Sequence, residues 1–468
     1  MTRRAGTTAL LAALVAGSTA ASVSRAATVT SSHRVKTPIE HFVTLMQENH
    51  TYDNYFGTYP RGNGFPAHVC VPIDPLKPRR GCVRPFHLGS NRVVPADPAH
   101  STAIAREQFN HGRMNGFVRA LDRVNQDGRL AMGYRNGRDL PYYWNLAAQY
   151  VLYDRFFSSA MSDNFVNHLY WVTGGPAGEP AVPRGEELGH ALPTDGAHGL
   201  TTIFDRLDRA GVSWKFYVQD YNPNLTYRTF RRFPATRASQ VVRVPLLSMP
   251  RYLKNPRLRS HIVPLDRYYD DLLDDKLPAV SYIVPSGPTE HPPSSVGSGQ
   301  AFVRSLINSL IQSPEWKSSA FLLSYDEWGG WYDHVKPPQV DGYGYGFRVP
   351  ALLVSPYARR GFTDSTQLDY TSILRFIEEN WNLKPLTSRD AHANSVAGGF
   401  DFRQAPRPGV LTASTRGGAP LETNVRRPVI YGLYGGAFCV PVVLLGFALF
   451  SERRRRDSAP AEASGEYG

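Results

Sequence analysis

The sequence predicts an α/β fold in which helices flank a mainly parallel central sheet. Four short apolar runs are bounded by turn residues, as strands buried on both faces are: residues 39–47, 279–285, 319–326 and 349–356. Segments with helical apolar spacing occupy residues 200–211, 299–316 and 370–382. This alternation is typical of a parallel sheet covered on both faces, so we expect three layers, α/β/α. A core helix segment is the alternative for each short run, because periodicity does not separate the two.

The chain begins with the features of an export signal. Arg3 and Arg4 precede the apolar run ALLAALVAG, and small residues follow as far as residue 27. We therefore expect residues 1–27 to be a cleaved signal peptide. The arginine pair suits the twin-arginine route, but the apolar pair expected soon after it is missing, so the general secretory route is equally open.

The next segment, residues 28–390, has the composition of a folded body. The chain has 468 residues, of which 42% are hydrophobic and 20% charged, enough for a core that holds a buried polar site. Aromatic residues make up 12%, which is too many for a disordered chain. The 40 glycines and 37 prolines therefore indicate ordered loops on a scaffold, where functional sites are usually built.

Two cysteines lie at the ends of a loop rich in proline and arginine. A disulfide between Cys70 and Cys82 would staple this loop, which has little core of its own, and would agree with export. A metal site at these cysteines is the weaker alternative, because no neighbouring cysteine or histidine pair completes four ligands.

The C-terminal part has the pattern of a membrane anchor. Apolar residues become sparse over residues 391–427, where we expect a stalk. Residues 429–450 carry no charge and match the roughly 20 residues of a membrane-spanning helix. Arg453 to Arg456 follow at once, and such clusters stay on the cytoplasmic side. We expect a single-pass protein of the cell membrane, with the body outside the cytoplasm and residues 451–468 inside. The alternative is a buried core helix.

The formal net charge of +12 is a reason to consider nucleic acid as a partner. Four of these charges belong to the C-terminal arginine cluster, and the body has no basic run with interleaved aromatic residues. We therefore predict no nucleic-acid binding. Attraction to anionic lipid headgroups or phosphate esters is a weaker expectation from the same charge.

Polar side chains follow three of the predicted strands at the point where each strand ends. Glu48 and Asn49 follow the first, His291 follows the second, and Asp326 and Glu327 follow the third. Ligands bind beyond the carboxyl ends of parallel strands, and these ends share one edge of the sheet. Adjacent carboxylates repel unless a cation or a proton lies between them, so we predict a divalent ion such as Ca2+, Mg2+ or Mn2+. A helix cap or a solvated turn is the alternative for each carboxylate alone.

Four blocks of the sequence resemble, in the same order, the motifs of the bacterial phospholipase C and acid phosphatase phosphoesterase family. They are MQENHTYDNYFG, EHPPSSVGSGQAFV, YDEWGGWYDHVKPP and GFRVPALLVSPYARRGF. The resemblance extends from Ile39 to Leu383, and an ordered set of four long motifs is highly specific. It implies an alkaline-phosphatase-like α/β/α fold. It also implies hydrolysis of phosphate mono- or diesters with a divalent metal and a Ser or Thr nucleophile.

The resemblance also implies roles for individual residues. Glu48 and Asn49 match the family's metal-binding Glu-Asn pair, and Asp326 and Glu327 match the paired acids that follow the late strand. A metal with neighbouring donors stabilises the negative charge that a phosphoryl transition state spreads over its oxygens.

Two histidines are implied as catalytic residues. His291 matches the histidine of the Glu-His-Pro block, as an acid or a phosphate contact, and His334 matches that of the Tyr-Asp-His block. A leaving alkoxide needs a proton, which histidine can supply near neutral pH. The alternative for His291 is a capping role in a proline-rich loop.

One position departs from the family pattern. The family's nucleophile lies three residues before the Asn of the block SDNFVNHLYWVTGG, and here that position is Asn164, whose amide is a poor nucleophile. Ser162 could substitute if the loop shifts its register. Alternatively, the metal could activate water directly, with Asn164 as a ligand or a hydrogen-bond donor. A third alternative is a site that binds metal without catalysis.

These observations predict a membrane-anchored, extracytoplasmic, metal-dependent phosphoesterase. Phospholipids and small phosphate esters are both expected substrates, because the anchor would hold the body at a lipid surface. The alternative is a surface protein with the phosphoesterase fold that binds metal or phosphate ligands without turnover, and Asn164 is the feature that supports it.

Overall fold

The computed structural model of the protein describes residues 35–89, 96–162, 164–175, 199–286, 290–292 and 294–414. The predicted signal peptide, membrane-spanning helix and cytoplasmic tail, at residues 1–27, 429–450 and 451–468, lie outside the described residues. None of the helices within these ranges is both long and apolar enough to cross a bilayer.

The strands and helices alternate along much of the chain. The strands are β1 (His41–Gln47), β2 (Val71–Pro72), β3 (Cys82–Val83), β4 (Phe86–His87), β5 (Gly133–Tyr134), β6 (Val151–Tyr153), β7 (Trp214–Val218), β8 (Ile262–Pro264), β9 (Val280–Val284), β10 (Ser319–Tyr325), β11 (Ala351–Val354) and β12 (Phe362–Asp364). The helices are α1 (Tyr52–Phe56), α2 (Thr102–Phe109), α3 (Phe117–Asp122), α4 (Pro141–Gln149), α5 (Asn164–Thr173), α6 (Ile203–Ala210), α7 (Ala235–Arg243), α8 (Pro250–Lys254), α9 (Pro256–Arg259), α10 (Asp266–Leu273), α11 (Val296–Gln312), α12 (Tyr370–Asn380) and α13 (Ser388–His392).

The main sheet has the order β12-β6-β11-β10-β1-β9-β7-β8 within the described residues. The strands β10, β1, β9, β7 and β8 pair in parallel, and β11 is antiparallel to both of its neighbours. The predicted α/β fold with a mainly parallel sheet is confirmed. The run at 349–356 forms a strand but with the opposite direction, because the chain returns from β10 without the helix that a parallel crossover needs.

The predicted elements near the site form because apolar residues fill both faces of the sheet. Every residue of β9 and β10 is buried, as expected for strands covered on both sides. In α12 the side chains of Ile373, Phe376 and Ile377 are buried, and the N–H of the N-cap residue Asp369 donates to Oγ of Ser372 at 3.1 Å. These contacts fix the layer that supports the end of β10.

A disulfide joins Cys70 and Cys82, as the sequence predicts. It links the start of a small hairpin, since Val71 pairs with Val83 and Pro72 with Cys82 in antiparallel register. The bond thus closes a loop whose own strands are only two residues long.

Residues 391–414, which the sequence assigns to the stalk, pack against the body. Val396 is fully buried, Phe400 and Leu411 are buried in the main core, and Phe400 forms a β-bridge with Ala358. The packed part of the chain therefore extends past the boundary predicted at residue 390. The rest of the predicted stalk, residues 415–427, lies outside the described residues.

Candidate metal centre and active site

The site begins where β1 and β10 end side by side. Gln47 is in register with Tyr325, and the N–H of Asp326 donates to the carbonyl of Gln47 at 3.0 Å. The next residues therefore leave the sheet together. The N–H of Asn49 donates to Oδ1 of Asp326 at 3.2 Å, so two residues from distant parts of the chain meet at the carboxyl edge of the sheet.

The backbone around these residues adopts conformations that suit their types. Asn49 has a φ of 69°, in the left-handed region that asparagine tolerates better than most residues. Gly329 has a φ of 61°, and a Cβ there would lie 2.4 Å from the carbonyl oxygen of Asn49. The Gly-Gly pair after Glu327 therefore allows the two loops to approach closely. The N–H of Gly329 also donates to Oε2 of Glu327 at 2.9 Å.

His168 of α5 joins the carboxylates from the helical layer. Its Nε2 lies 3.7 Å from Oδ2 of Asp326, and both side chains are fully buried. Glu48, His168 and Asp326 each present one ligand atom within 4.8 Å of the others. Burial raises the pKa of Asp326, and the nearby charge of Glu48 raises this pKa further, against the opposing effect of His168.

Arg243, the last residue of α7, pairs with Glu48. Its Nε and Nη2 donate to the two carboxylate oxygens, the second at 2.6 Å, and its Nη1 donates to the carbonyl of Pro285 at 3.3 Å. Burial opposes ionisation of Glu48, but Arg243 outweighs burial and lowers the pKa of this carboxyl. Arg243 thus keeps Glu48 ionised through a bidentate ion pair.

Two histidines border the cluster from separate loops. Nδ1 of His100 lies 2.7 Å from the carbonyl of Pro98, so it carries the proton, and Nε2 accepts from Nδ2 of Asn49 at 3.2 Å. The same Nε2 lies 3.8 Å from Oε1 of Glu327. The ring of His291 lies 5.7 Å from that of His100. The predicted residue His291 is therefore beside the cluster.

The donors left open in this cluster fit a hard or borderline divalent cation. Within the described residues, Oδ1 of Asn49, Oδ2 of Asp326 and both ring nitrogens of His168 are buried without a hydrogen-bond partner. Unsatisfied buried polar atoms are costly, so several of them in one place fit a site that binds a ligand. Carboxylate and amide oxygens suit Mg2+, Ca2+ or Mn2+, whereas an imidazole is more typical of transition metals such as Zn2+ or Fe2+.

Glu290 anchors the loop that carries His291. Its carboxyl group is buried and accepts hydrogen bonds from three tyrosines, Tyr55 at 2.5 Å, Tyr325 at 2.6 Å and Tyr143. Burial raises the pKa of Glu290 to about 7 against the lowering effect of these hydroxyl groups. Although it follows β9 as a site residue would, Glu290 faces the core, and its contacts support the loop.

His334 lies in a second polar cluster. Its Nδ1 is 2.7 Å from Oδ2 of Asp53, and its Nε2 is 3.2 Å from Oδ1 of Asn63. Arg348 is fully buried there and pairs with Asp53 at 3.0 Å and Asp333 at 2.9 Å. These contacts place His334 in a buried ion-pair network, and its predicted catalytic role stays a prediction.

Asn164, at the expected nucleophile position, is the first residue of α5. It precedes His168 by four residues, so the two share one face of the helix. The amide of Asn167 accepts from the N–H of Ala160 at 2.9 Å and donates to the carbonyl of Ser162 at 3.1 Å, which folds the preceding loop onto the helix. Oγ of Ser162 lies 3.2 Å from Oγ1 of Thr102. The Ser162 hydroxyl is therefore engaged by α2.

Sequence reasoning missed three residues of the site: His100, His168 and Arg243. His168 stood within a block that resembled the family, and its spacing from Asn164 could have indicated a shared helical face. His100 lies in an irregular loop, and Arg243 looked like one of many scattered arginines. Their contacts with Asn49 and Glu48 depend on tertiary folding.

Comparison with known proteins identifies the family of the chain. The sequence profile of the Phosphoesterase family matches residues 39–384. The chain is similar to Phospholipase C A of Mycobacterium tuberculosis, with 29% identity covering 88% of this chain and 84% of that protein. It is also similar to Non-specific phospholipase C1 of Arabidopsis thaliana, with 28% identity covering 80% of this chain and 73% of that protein.

Among solved structures, a protein of the alkaline phosphatase superfamily from Vibrio parahaemolyticus aligns with a TM-score of 0.34 and 12% identity, over 58% of this chain and 67% of that chain. The family profile covers most of the chain, and its span includes Glu48, Asn49, Asp326 and Glu327. The chain belongs to the Phosphoesterase family and is a hydrolase that acts on phosphoric ester bonds.

Proposed function

We propose that this protein hydrolyses phosphate esters with a divalent cation held by Glu48, Asn49, Asp326 and Glu327, with His168 beside them. The observation that carries this proposal is the meeting of Asn49 and Asp326 at the carboxyl edge of the sheet, each with a buried oxygen that has no hydrogen-bond partner among the described residues. A bound divalent cation would supply Lewis-acid stabilisation of the negative charge on the phosphate oxygens.

The side chains around the cluster suit the remaining tasks. In the proposed reaction a water oxygen forms a bond to phosphorus while the ester P–O bond breaks. His291 gives a proton to the leaving alcohol, and the attacking water releases its own proton to the solvent. Asn164 donates its amide N–H to a phosphate oxygen at the first turn of α5, where the helix dipole also favours an anion.

Direct attack by water follows from the residues at the nucleophile position. A carboxamide does not attack phosphorus, and the Ser162 hydroxyl is engaged with Thr102. We therefore propose a reaction without a covalent phosphoenzyme. His334 and Arg348 keep the neighbouring loop in place, and a catalytic contribution of His334 would act through this network.

The proposed substrates are phospholipids and small phosphate esters. The names of the two phospholipase C relatives favour lipid substrates, and the uncharged segment at residues 429–450 would tether the body to a bilayer. We accordingly propose an alkaline-phosphatase-like body on the outer side of the cell membrane, anchored by one C-terminal helix.

Turnover by the metal-loaded protein tests this function. The purified body is assayed on p-nitrophenyl phosphate, bis-p-nitrophenyl phosphate and phosphatidylglycerol vesicles, with Ca2+, Mg2+ or Mn2+ added. We expect metal-dependent hydrolysis of at least one ester, and loss of that activity in Asp326→Ala. Metal binding without turnover above this variant would instead favour a binding protein.

A further inference from the structure

A polar cavity of about 270 Å3 lies at the carboxyl edge of the sheet, the edge that also carries the metal-site residues. It is lined by Asp220, Asn222, Leu225, Arg237, Gln240 and Ser286. Asp220 follows β7 and Ser286 follows β9, so both come from carboxyl ends of parallel strands, as do Glu48 and Asp326. We call this the Gln240 cavity.

Arg243 connects α7, which lines the Gln240 cavity, to Glu48 of the metal site. It lies three residues after Gln240 on α7, so the two are neighbours on one helix face. Its guanidinium holds both carboxylate oxygens of Glu48 and also donates to the carbonyl of Pro285, the residue before Ser286. Because β1 pairs with β9 and β9 with β7, the strand ends that carry Glu48, Ser286 and Asp220 are neighbours, and a substituent on a phosphate at the metal site would extend toward the cavity.

The wall of the cavity is built by a buried amide. Oε1 of Gln240 accepts from the N–H of Asn222 at 2.8 Å, and its Nε2 donates to the carbonyls of Asn222 at 3.0 Å and Leu225 at 3.2 Å. Gln240 is 1% exposed, so these bonds fix the loop after β7. Asp220 has a φ of 51°, in the left-handed region that aspartate tolerates better than most residues, which fits the tight turn after β7.

The chemistry of the lining selects a class of substituent. Within the described part of the chain, the Asp220 carboxylate and the Arg237 guanidinium make no hydrogen bond or ion pair with other residues, and both residues are exposed and line the cavity. The carboxylate accepts hydrogen bonds and the guanidinium donates them, so together they suit a bound group that carries adjacent hydroxyl groups. None of the described lining residues is aromatic, whereas quaternary ammonium groups are recognised by aromatic faces.

The volume of the Gln240 cavity also limits the size of the group that it can bind. Small-molecule pockets usually have roughly 300 to 1,000 Å3, so this cavity suits a small group, and its polar lining excludes an acyl chain. From this position and chemistry we infer that the Gln240 cavity binds a polyol esterified to the phosphate, such as a glycerol or inositol head group, in preference to choline. This inference rests on the proposed function, because the metal site must hold the phosphate.

Calorimetric titration of the Mn2+-loaded protein tests the inference without turnover. The probes are inorganic phosphate, glycerol 1-phosphate, inositol 1-phosphate and phosphocholine. We expect a polyol phosphate to bind about tenfold more tightly than phosphate or phosphocholine, equivalent to about 1.4 kcal/mol. In Asp220→Asn and Arg237→Gln this advantage should fall to about threefold or less, while the affinity for inorganic phosphate changes much less.

Matched controls come from the opposite edge of the sheet. Asp275→Asn removes an exposed acid that also has a left-handed φ, 56°, before β9, and Arg209→Gln removes an exposed arginine before β7. Both should keep the preference of the wild type. Equal affinity for all probes, tighter binding of phosphocholine, or no binding of polyol phosphates would overturn the inference. Hydrolysis of p-nitrophenyl phosphate, measured in parallel, shows separately whether the proposed function stands.

Discussion

The backbone N–H of Asn49 lies 3.2 Å from Oδ1 of Asp326, although 277 residues separate them in the chain. The parallel pairing of β1 with β10 causes this contact, since Gln47 and Tyr325 are in register and the next residues must leave the sheet together. His168 then approaches Asp326 from α5, and Arg243 approaches Glu48 from α7. The site therefore combines two strand ends with two helices.

Arg243 should weaken metal binding. It neutralises Glu48 and adds a positive charge near the cation, so Arg243→Met should raise the affinity for Mn2+ by about tenfold. Titration of Mn2+ by calorimetry measures this change. Arg251→Met, which removes a partly exposed pair with Asp205, should leave the affinity unchanged. A lower affinity in Arg243→Met would show that Arg243 orients Glu48 as a ligand instead.

Turnover should proceed without a phosphorylated residue. Since Asn164 and the engaged Ser162 offer no free nucleophile, acid quenching during hydrolysis of a 32P-labelled ester should leave no label on the protein. Asn164→Thr places a hydroxyl at this position, and label should then appear on residue 164. Label on the wild-type protein would contradict direct attack by water.

Arg348 should be essential for stability. It is fully buried between Asp53 and Asp333, so Arg348→Met leaves two buried carboxylates without their cation. Removing one partner of a buried ion pair typically costs about 3–5 kcal/mol. Urea denaturation should show a loss of this size. Arg257→Met, which removes a solvent-exposed pair with Asp208, should cost far less; similar losses in the two variants would contradict the assignment.

Glu378 should make stability depend on pH. Burial and the nearby Asp390 raise its pKa to about 9, and both carboxyl groups approach the N–H of Leu386, at 3.1 and 2.7 Å. The folded state keeps a proton that the unfolded chain releases above about pH 4.5, so stability falls as the pH rises from about 4.5 to 9.

The variant Glu378→Gln removes this proton linkage. The free energy of unfolding of the wild type should fall from pH 5 to pH 8, whereas that of Glu378→Gln should not fall for this reason. The difference between the two proteins should therefore change by at least about 2 kcal/mol in favour of the variant over this range. Chemical denaturation at the two pH values measures the difference. The neighbouring Glu379→Gln, which affects a more exposed carboxylate paired with Arg375, should show no such gain. Parallel pH profiles for wild type and Glu378→Gln would refute the assignment.

Local patterns predicted the parts of the fold that apolar runs define. The sequence predicts the strands β1, β9 and β10, because a strand covered on both faces is a nearly continuous apolar run. It predicts α12, because Asp369 begins a segment with helical apolar spacing. The direction of β11 is set by the chain returning without a helix, which its own residues do not encode. Glu290 follows a strand as Asp326 does, yet its carboxyl group points into the core, where it accepts hydrogen bonds from three tyrosines that are distant in sequence.

The central claim is that Asn49 and Asp326 bind the same divalent cation. Calorimetric titration of Mn2+ into the wild type, Asp326→Asn and Asn49→Gly tests it, because glycine accepts the left-handed backbone of Asn49 without its amide. Glu378→Gln serves as the control. We predict one Mn2+ bound by the wild type and an affinity at least about 100-fold lower in each site variant, more than the loss of an orienting residue usually causes. Affinity within about threefold of the wild type in either variant would contradict the claim.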